Sequence, residues 1–295
     1  KRVLSAQTHW SASLVDDPTP LLINPPDFFS GSTGTGSCTW VGGVTVEHID
    51  VANRVVATSA GTRYKATSAL VLATGCRAAS LADANILTRT LRGGGRRARE
   101  KAHWAKCGGV HFLRTHGECA RILAQIRDGG LLANTRAVIV GAGLTGLEVA
   151  AALLAQRVNN ITIVHRDATI LPAVFTPTVA QYYESVYRTA NCAIAAGVSV
   201  VDVSCDGETG WVNGVHLSDG TFVAADLCVV AVGVTPNTEL VRGQLDLTPD
   251  GGVVVDSRLR ASSAGVYAIG DIAASNKGES RFTNSSYAEE TAIVA

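Results

Sequence analysis

The chain has 295 residues, 46% of them hydrophobic, with 25 basic and 25 acidic residues and a formal net charge of +0. A chain of that length buries a sizeable core and divides into two domains, because single cores stop growing near about 250 to 300 residues. The charge balance argues against nucleic acid or an anionic membrane as the main partner, and no apolar run reaches membrane-spanning length.

Seven cysteines are scattered and odd in number, so they read mostly as small buried hydrophobes rather than a secreted disulfide framework. No C-x-x-C occurs, which argues against a redox-active disulfide of the thioredoxin-reductase or glutathione-reductase kind. The seven histidines are dispersed, and His48 and His216, in strand-like segments, read as structural or solvent-facing; no metal site is expected. There is no methionine and the sequence starts at Lys1 without a targeting segment, from which an incomplete N-terminus is expected. The expected setting is intracellular, with an organelle left open.

Residues 1–43 read as loop, with Pro-rich pieces (Asp17–Pro20, Pro25-Pro26) and the small-residue stretch Ser30–Ser37. Alternating segments Val44–Val51, Arg54–Ala60 and Tyr64–Thr74, separated by Asn53 and Gly61, predict an antiparallel meander. The basic segment from Arg89 to Lys106 reads as a solvated loop in preference to a docking patch. A helix is predicted from Gly117 to Asp128. Strand, helix, strand, helix, strand, a hairpin at Asp219-Gly220 and a buried strand at Leu227–Val232 then predict a Rossmann-type unit over Ala137–Val234. In the helix near Pro177–Ala190, Val179, Tyr183, Val186 and Tyr187 fall at helical spacing and read as core packing. After Pro236 the chain is turn-rich, and it ends in a predicted helix, Ser286–Ala295.

Two motifs carry chemistry. Ala137-Val-Ile-Val-Gly141-Ala-Gly143-Leu-Thr-Gly146 is an apolar β-branched run, a glycine turn and a helix start. Glycines there let the backbone turn tightly against a pyrophosphate, which rests on the helix's first amides. The other is Val266-Tyr-Ala-Ile-Gly270-Asp271, which sets a carboxylate beside a turn where a ribityl hydroxyl can be held. Alone, that Gly-Asp pair is equally a turn or a helix cap.

In order, Ala73-Thr74-Gly75, the Gly141–Gly146 turn, Val232-Gly233-Val-Thr-Pro236-Asn237 and Gly270-Asp271 resemble the FAD-dependent pyridine nucleotide oxidoreductases. Phe112-Leu-Arg114-Thr and Leu171–Tyr187 are similar to the monodehydroascorbate reductase and ferredoxin reductase branches, the former more closely. The resemblance implies an α/β fold in which an NAD(P) Rossmann domain, 116–237, is inserted in a Rossmann-like FAD domain with antiparallel meanders, 1–115 and 238–295. It implies hydride transfer from NAD(P)H to FAD, then electrons passed to a small radical or a redox protein. Gly141, Gly143, Gly146, Gly233 and Pro236 would surround the nicotinamide dinucleotide, and Thr74, Gly75, Arg114, Gly270 and Asp271 would face FAD. At the end of the second Rossmann strand, His165 and Arg166 stand where a carboxylate would favour a ribose 2′-hydroxyl; this leans toward NADP, although Asp167 is close by.

The chain also departs from the family. Its start resembles the segment after the first FAD βαβ unit, so the N-terminal G-x-G-x-x-G is expected to be missing. Thr283 and Asn284 replace a Glu-His pair, and the C-terminal interface domain would begin where the chain stops. A non-catalytic accessory or scaffold subunit of a larger assembly is therefore the alternative to a reductase, with a nucleotide-sensing module as a third reading.

Overall fold

The computed structural model describes residues 39–80, 107–128, 134–275, 288, 290 and 291. The chain divides into two compact units, Lys1–Ile23 with Ala78–Gly233, and Asn24–Arg77 with Val234–Ala295.

The second of these opens with β1 (Val46–Asp50), β2 (Val55–Thr58) and β3 (Arg63–Lys65), antiparallel and in that order. The first reversal is held by Asp50, whose carboxylate accepts from the Asn53 backbone N–H at 3.0 Å and the Asn53 side-chain amide at 2.9 Å. The single strand expected over Tyr64–Thr74 is two. After β3 the chain bends, and β4 (Leu70–Leu72) leaves the meander to pair in parallel with the later strand Val266–Ala268. Burial decides this: Leu70 and Leu72 pack into the core with Val266 and Ala268, whereas Tyr64 is exposed.

After β5 (Cys76–Ala78), the other unit is built on five parallel strands. They are β6 (Val110–Phe112), β7 (Arg136–Val140), β8 (Asn160–His165), β9 (Cys192–Ala196) and the strand Leu227–Val230, which lies between β6 and β7; β8 and β9 follow on the far side of β7. Helices α1 (His116–Asp128), α2 (Leu144–Ala155) and α3 (Pro177–Thr189) contribute to the core on one face. The antiparallel strands β10 (Val200–Cys205), β11 (Val212–Leu217) and β12 (Phe222–Ala224) cover the other, before β13 (Leu227–Val230) re-enters the sheet. Strand alternation explains the sandwich. Ala137 and Ile139 of β7 join Leu123 and Leu153 beneath the helices, while Val138 and Val140 join Val203 and Val215 beneath the meander. Each fully buried Ile or Leu contributes about 1.5–3 kcal/mol. The expected domain boundary at residue 116 falls inside this unit, because β6 is an edge strand paired with β13.

A capping box starts α1: Glu118 Oε2 accepts from the Thr115 N–H at 2.7 Å, and the Glu118 N–H donates to Thr115 Oγ1 at 3.3 Å. The expected core stripe on α3 is corrected by its exposure. Val179, Tyr183 and Val186 are exposed, and only Tyr187 turns inward, donating its hydroxyl to the Leu147 carbonyl at 3.0 Å. Small Ala180 lies on the buried face instead, so α3 packs close and leaves the larger side chains outside. The cysteine reading also needs correction. Cys107 and Cys205 form a disulfide with Cα atoms 5.9 Å apart, while Cys76, Cys119, Cys192 and Cys228 are buried thiols as expected.

The second unit resumes with β14 (Val234–Pro236), β15 (Val253–Val255), β16 (Val266–Ala268) and β17 (Ala273–Ser275), β15 and β17 being parallel. Val51, Leu72, Val253, Val266 and Ile272 form its core. The readings on residues 1–38, on the basic segment Arg89–Lys106 and on Thr283 and Asn284 lie outside the described residues; of the expected terminal helix, 288, 290 and 291 are helical. Among the described residues no helix is long and apolar enough to cross a membrane.

Candidate functional site

β7 ends at Val140 and α2 begins at Leu144, so three residues must turn the chain from strand to helix. Gly141 adopts φ 108°, and a Cβ there would press into the carbonyl of Ala231, just after β13. A Cβ on Gly146 would strike the Gly141 carbonyl, so this glycine sets how closely helix and strand pack. Gly143 differs. Its backbone is extended and nothing lies within 4 Å of its Cβ position, which leaves open space at the helix start. No side chain caps α2 and its first turn holds no acid, so its first amides and positive dipole end are left for an anion. The turn also lies where the strand order reverses, with β8 and β9 on one side of β7 and β13 and β6 on the other. Open α/β sheets bind ligands at that switch point.

The segment after β8 is tied to this turn. The Gly141 N–H donates to the Val164 carbonyl at 2.8 Å, and the Leu171 N–H donates to the Ala142 carbonyl at 3.2 Å. Between them, His165 is only 5% exposed, and neither ring nitrogen has a hydrogen-bond partner. Burial pulls its pKa below the ordinary value; Glu184 and Asp167 oppose that shift, and Arg188 adds to it. Arg166 and Asp167 are exposed. Gly233 belongs to the same unit, with φ 116°, and its carbonyl accepts from the Ala79 N–H at 3.0 Å. Pro236 belongs to the second unit, where it is buried near Gly251.

The second unit repeats the device of a turn at a strand's carboxyl end. β4 and β16 run side by side, and the Ile269 N–H continues their pairing to the Leu72 carbonyl at 3.0 Å. Gly75 and Gly270, each with φ 64°, turn the chain just beyond the two strands. Cys76 Sγ donates to the Asp271 carbonyl at 3.1 Å, so Thr74, Gly75, Gly270 and Asp271 converge. Thr74 Oγ1 donates to the Asn237 carbonyl at 2.6 Å, and the Asn237 side-chain amide returns a bond to the Thr74 carbonyl at 2.9 Å. Arg114 lies in the sheet unit, its N–H held by Glu118 at 2.8 Å. Cys76 is the residue that sequence reasoning missed. Only its place next to Gly75 pointed to it.

Fold and turns together define an α/β protein in which each unit carries a glycine turn at the carboxyl ends of parallel strands. The chain belongs to the pyridine nucleotide-disulphide oxidoreductase family, whose model matches residues 16–292. It is 32% identical over 233 residues to the peroxisomal monodehydroascorbate reductase 4 of Arabidopsis thaliana, covering 78% of this chain and 43% of that protein. Monodehydroascorbate reductase of Solanum lycopersicum is 31% identical over 228 residues, with coverages of 76% and 46%. Among solved structures, putidaredoxin reductase in covalent complex with putidaredoxin is similar with a TM-score of 0.78 and 26% identity, over 99% of this chain and 64% of that one. The ferredoxin reductase of the Rhodopseudomonas palustris CYP199A2 system gives 0.76 and 28%, with the same coverages. The chain spans less than half the length of these curated relatives.

Proposed function

We propose that the chain acts in an FAD-dependent NAD(P)H oxidoreductase of the monodehydroascorbate reductase type, passing a hydride from NAD(P)H to FAD and electrons onward to a small radical or a redox protein. One observation carries the reading. Each unit holds a glycine turn at the carboxyl ends of parallel strands, and the two turns differ in kind: the Gly141–Gly146 turn opens an uncapped helix, while the Gly270-Asp271 turn is tied through the Asp271 carbonyl to Cys76, next to Gly75.

In this reading Gly141, Gly143 and Gly146 admit the nicotinamide dinucleotide's pyrophosphate to the α2 amides, and Gly233 borders it. The cradle fits that group, since a Cβ on Gly141 or Gly146 would collide with backbone and Gly143 leaves open space. Thr74 and Gly75 lie at the FAD phosphates, and Asp271 holds a flavin ribityl hydroxyl. A bound flavin supplies the switch between two-electron and one-electron chemistry; these residues position it. Arg114 and Pro236 are assigned to the cofactors by family likeness alone.

Flavin content tests the proposal. The purified chain is denatured and the absorbance and fluorescence of the released supernatant are recorded. Stoichiometric FAD, with NAD(P)H-dependent bleaching of the native protein's flavin absorbance, is the expected result. Absence of FAD from the isolated protein, together with failure to take up added FAD, would overturn it in favour of a non-catalytic subunit.

A further inference from the structure

We propose that two copies of this chain associate through the exposed face of α3, as a two-fold dimer in which the two α3 helices run antiparallel. The contact lies wholly on the sheet unit and does not depend on the cofactor reading.

The first observation is an unpaired apolar stripe. Val179, Tyr182, Tyr183 and Val186 all stand exposed on α3, Tyr182 at 65% and the other three at 40% to 46%. Their i, i+3, i+4, i+7 spacing sets them on one face of the helix, apart from the face on which Ala180 is buried. Val174 is exposed as well, beside Phe175, whose ring stacks on Tyr183 with centroids 5.0 Å apart; Tyr182 meets Tyr183 edge-on at 5.6 Å. The three rings hold one another in place, so little side-chain freedom is left to lose on contact.

The second observation identifies what covers the stripe. Val179-Ala-Gln-Tyr182-Tyr183-Glu-Ser-Val186 carries the same large and small apolar residues when read outward in either direction from the midpoint of the two tyrosines. At 3.6 residues per turn, the valines lie about 10° to either side of the line through that midpoint and the tyrosines about 50° to either side. A two-fold axis at the midpoint therefore sets Val179 against Val186 of the second copy, and brings Tyr182 to Tyr182 and Tyr183 to Tyr183 at the centre. Isologous interfaces require this self-complementarity. It gives large aromatic rings at the axis and small β-branched side chains at both ends.

The third observation is charge. A charged side chain near a two-fold axis faces its own copy and repels it, and the stripe carries none. The two charged residues of α3, Glu184 and Arg188, fall on the far side of the helix from the stripe. There Glu184 accepts from the Ile170 N–H at 3.2 Å, and Arg188 Nη2 donates to the Ile194 carbonyl at 3.3 Å. Ser185 and Thr189, which flank the stripe, donate their hydroxyls to the Tyr182 and Ser185 carbonyls at 2.6 and 2.8 Å, so covering them leaves no donor unmet. At these exposures the stripe and Val174 offer on the order of 500 Å² per copy, about 1,000 Å² for the pair, the lower bound of a specific interface. The dimer is accordingly weak, with a dissociation constant of roughly 10–100 µM.

Sedimentation velocity on the full chain, from about 1 µM to about 300 µM, tests the proposal. The natural protein should pass from monomer to dimer across that range. Tyr182→Glu, which opposes two carboxylates at the axis, should weaken association roughly tenfold or more, while Gln181→Glu, on α3 but off the stripe, should leave it unchanged. Cross-linking then reads the position: Tyr182→Cys should give a disulfide-linked dimer on oxidation with diamide, and Gln181→Cys should not. A natural protein that stays monomeric at the top of the range would overturn the proposal and leave the stripe to a partner of another kind. A dimer that survives Tyr182→Glu, or equal cross-linking from positions 181 and 182, would overturn it by placing the contact elsewhere. Should Tyr182→Glu fail to fold by circular dichroism, Val186→Lys takes its place with the same expected loss.

Discussion

Gly146 packs so closely on the carbonyl of Gly141 that no side chain fits between them. This single approach brings α2 down onto β7 and keeps the helix's uncapped N-terminus at the mouth of the turn. Gly143, three residues earlier, has the opposite character, with open space around its Cβ position. The two glycines should therefore separate folding from binding. Gly146→Ala should destabilise the protein by about 1–3 kcal/mol, the usual range for overpacking, in urea unfolding. Gly143→Asp should change stability by no more than about 0.5 kcal/mol yet abolish NAD(P)H binding, measured by nucleotide fluorescence.

The start of β7 is fastened to the loop before β13 by a charged pair. Asp226 accepts from Arg136 Nε and from the Arg136 backbone N–H, both at 3.0 Å, and pairs with Arg136 Nη2 at 2.5 Å. Hydrogen bonding to Arg136 lowers the Asp226 pKa below the ordinary 3.8. With the folded pKa below the unfolded one, the stabilisation is present above the unfolded value and is lost as the pH falls through the folded one. Asp226→Asn should cost about 1 kcal/mol near neutral pH, a modest figure because the pair is partly in solvent. Urea titrations repeated on either side of the carboxylate range should find that the difference has vanished at the acid end.

Cys107 precedes β6 and Cys205 ends β10, and their disulfide spans 98 residues of sequence. Closing so long a loop restricts the unfolded chain, so Cys205→Ser or reduction should lower stability by about 2–4 kcal/mol, read as a lower Tm. The remaining described thiols should alkylate slowly in the native state, since burial pushes Cys192 up to about 11 and Cys228 up to about 12. Mass spectrometry after iodoacetamide labelling, with and without reductant, checks both statements.

Thr74 and Asn237 hold each other by reciprocal bonds, hydroxyl to carbonyl and amide to carbonyl. Asn237→Ala removes one of these and a 3.2 Å bond from Arg77. Its expected stability cost is about 0.5–1.5 kcal/mol, with weaker flavin retention because the Thr74-Gly75 turn loses its support. Flavin released on dilution, compared between the variant and the natural protein, measures this.

The sequence by itself determined the features that depend on near neighbours. The β-branched run before Gly141, the three glycines and the small apolar residues of α2 specify a strand, a turn and a helix without reference to anything distant. The Thr115–Glu118 box and the Asp50–Asn53 turn are likewise local, and such signals are legible because their period and spacing are set by backbone geometry. Tertiary structure decided the rest. Whether Tyr64–Thr74 was one strand or two turned on Val266–Ala268, almost 200 residues away, offering a buried parallel edge. Helical spacing put Val179, Tyr183 and Val186 in a stripe, but the short reach of Ala180 and the hydroxyl of Tyr187 chose which face met the core. The Cys107–Cys205 pair and the two orphan nitrogens of His165 were equally invisible in one dimension. Each depends on which atoms the fold brings near and which it withholds from water, and neither is a property of the residue or its neighbours in sequence.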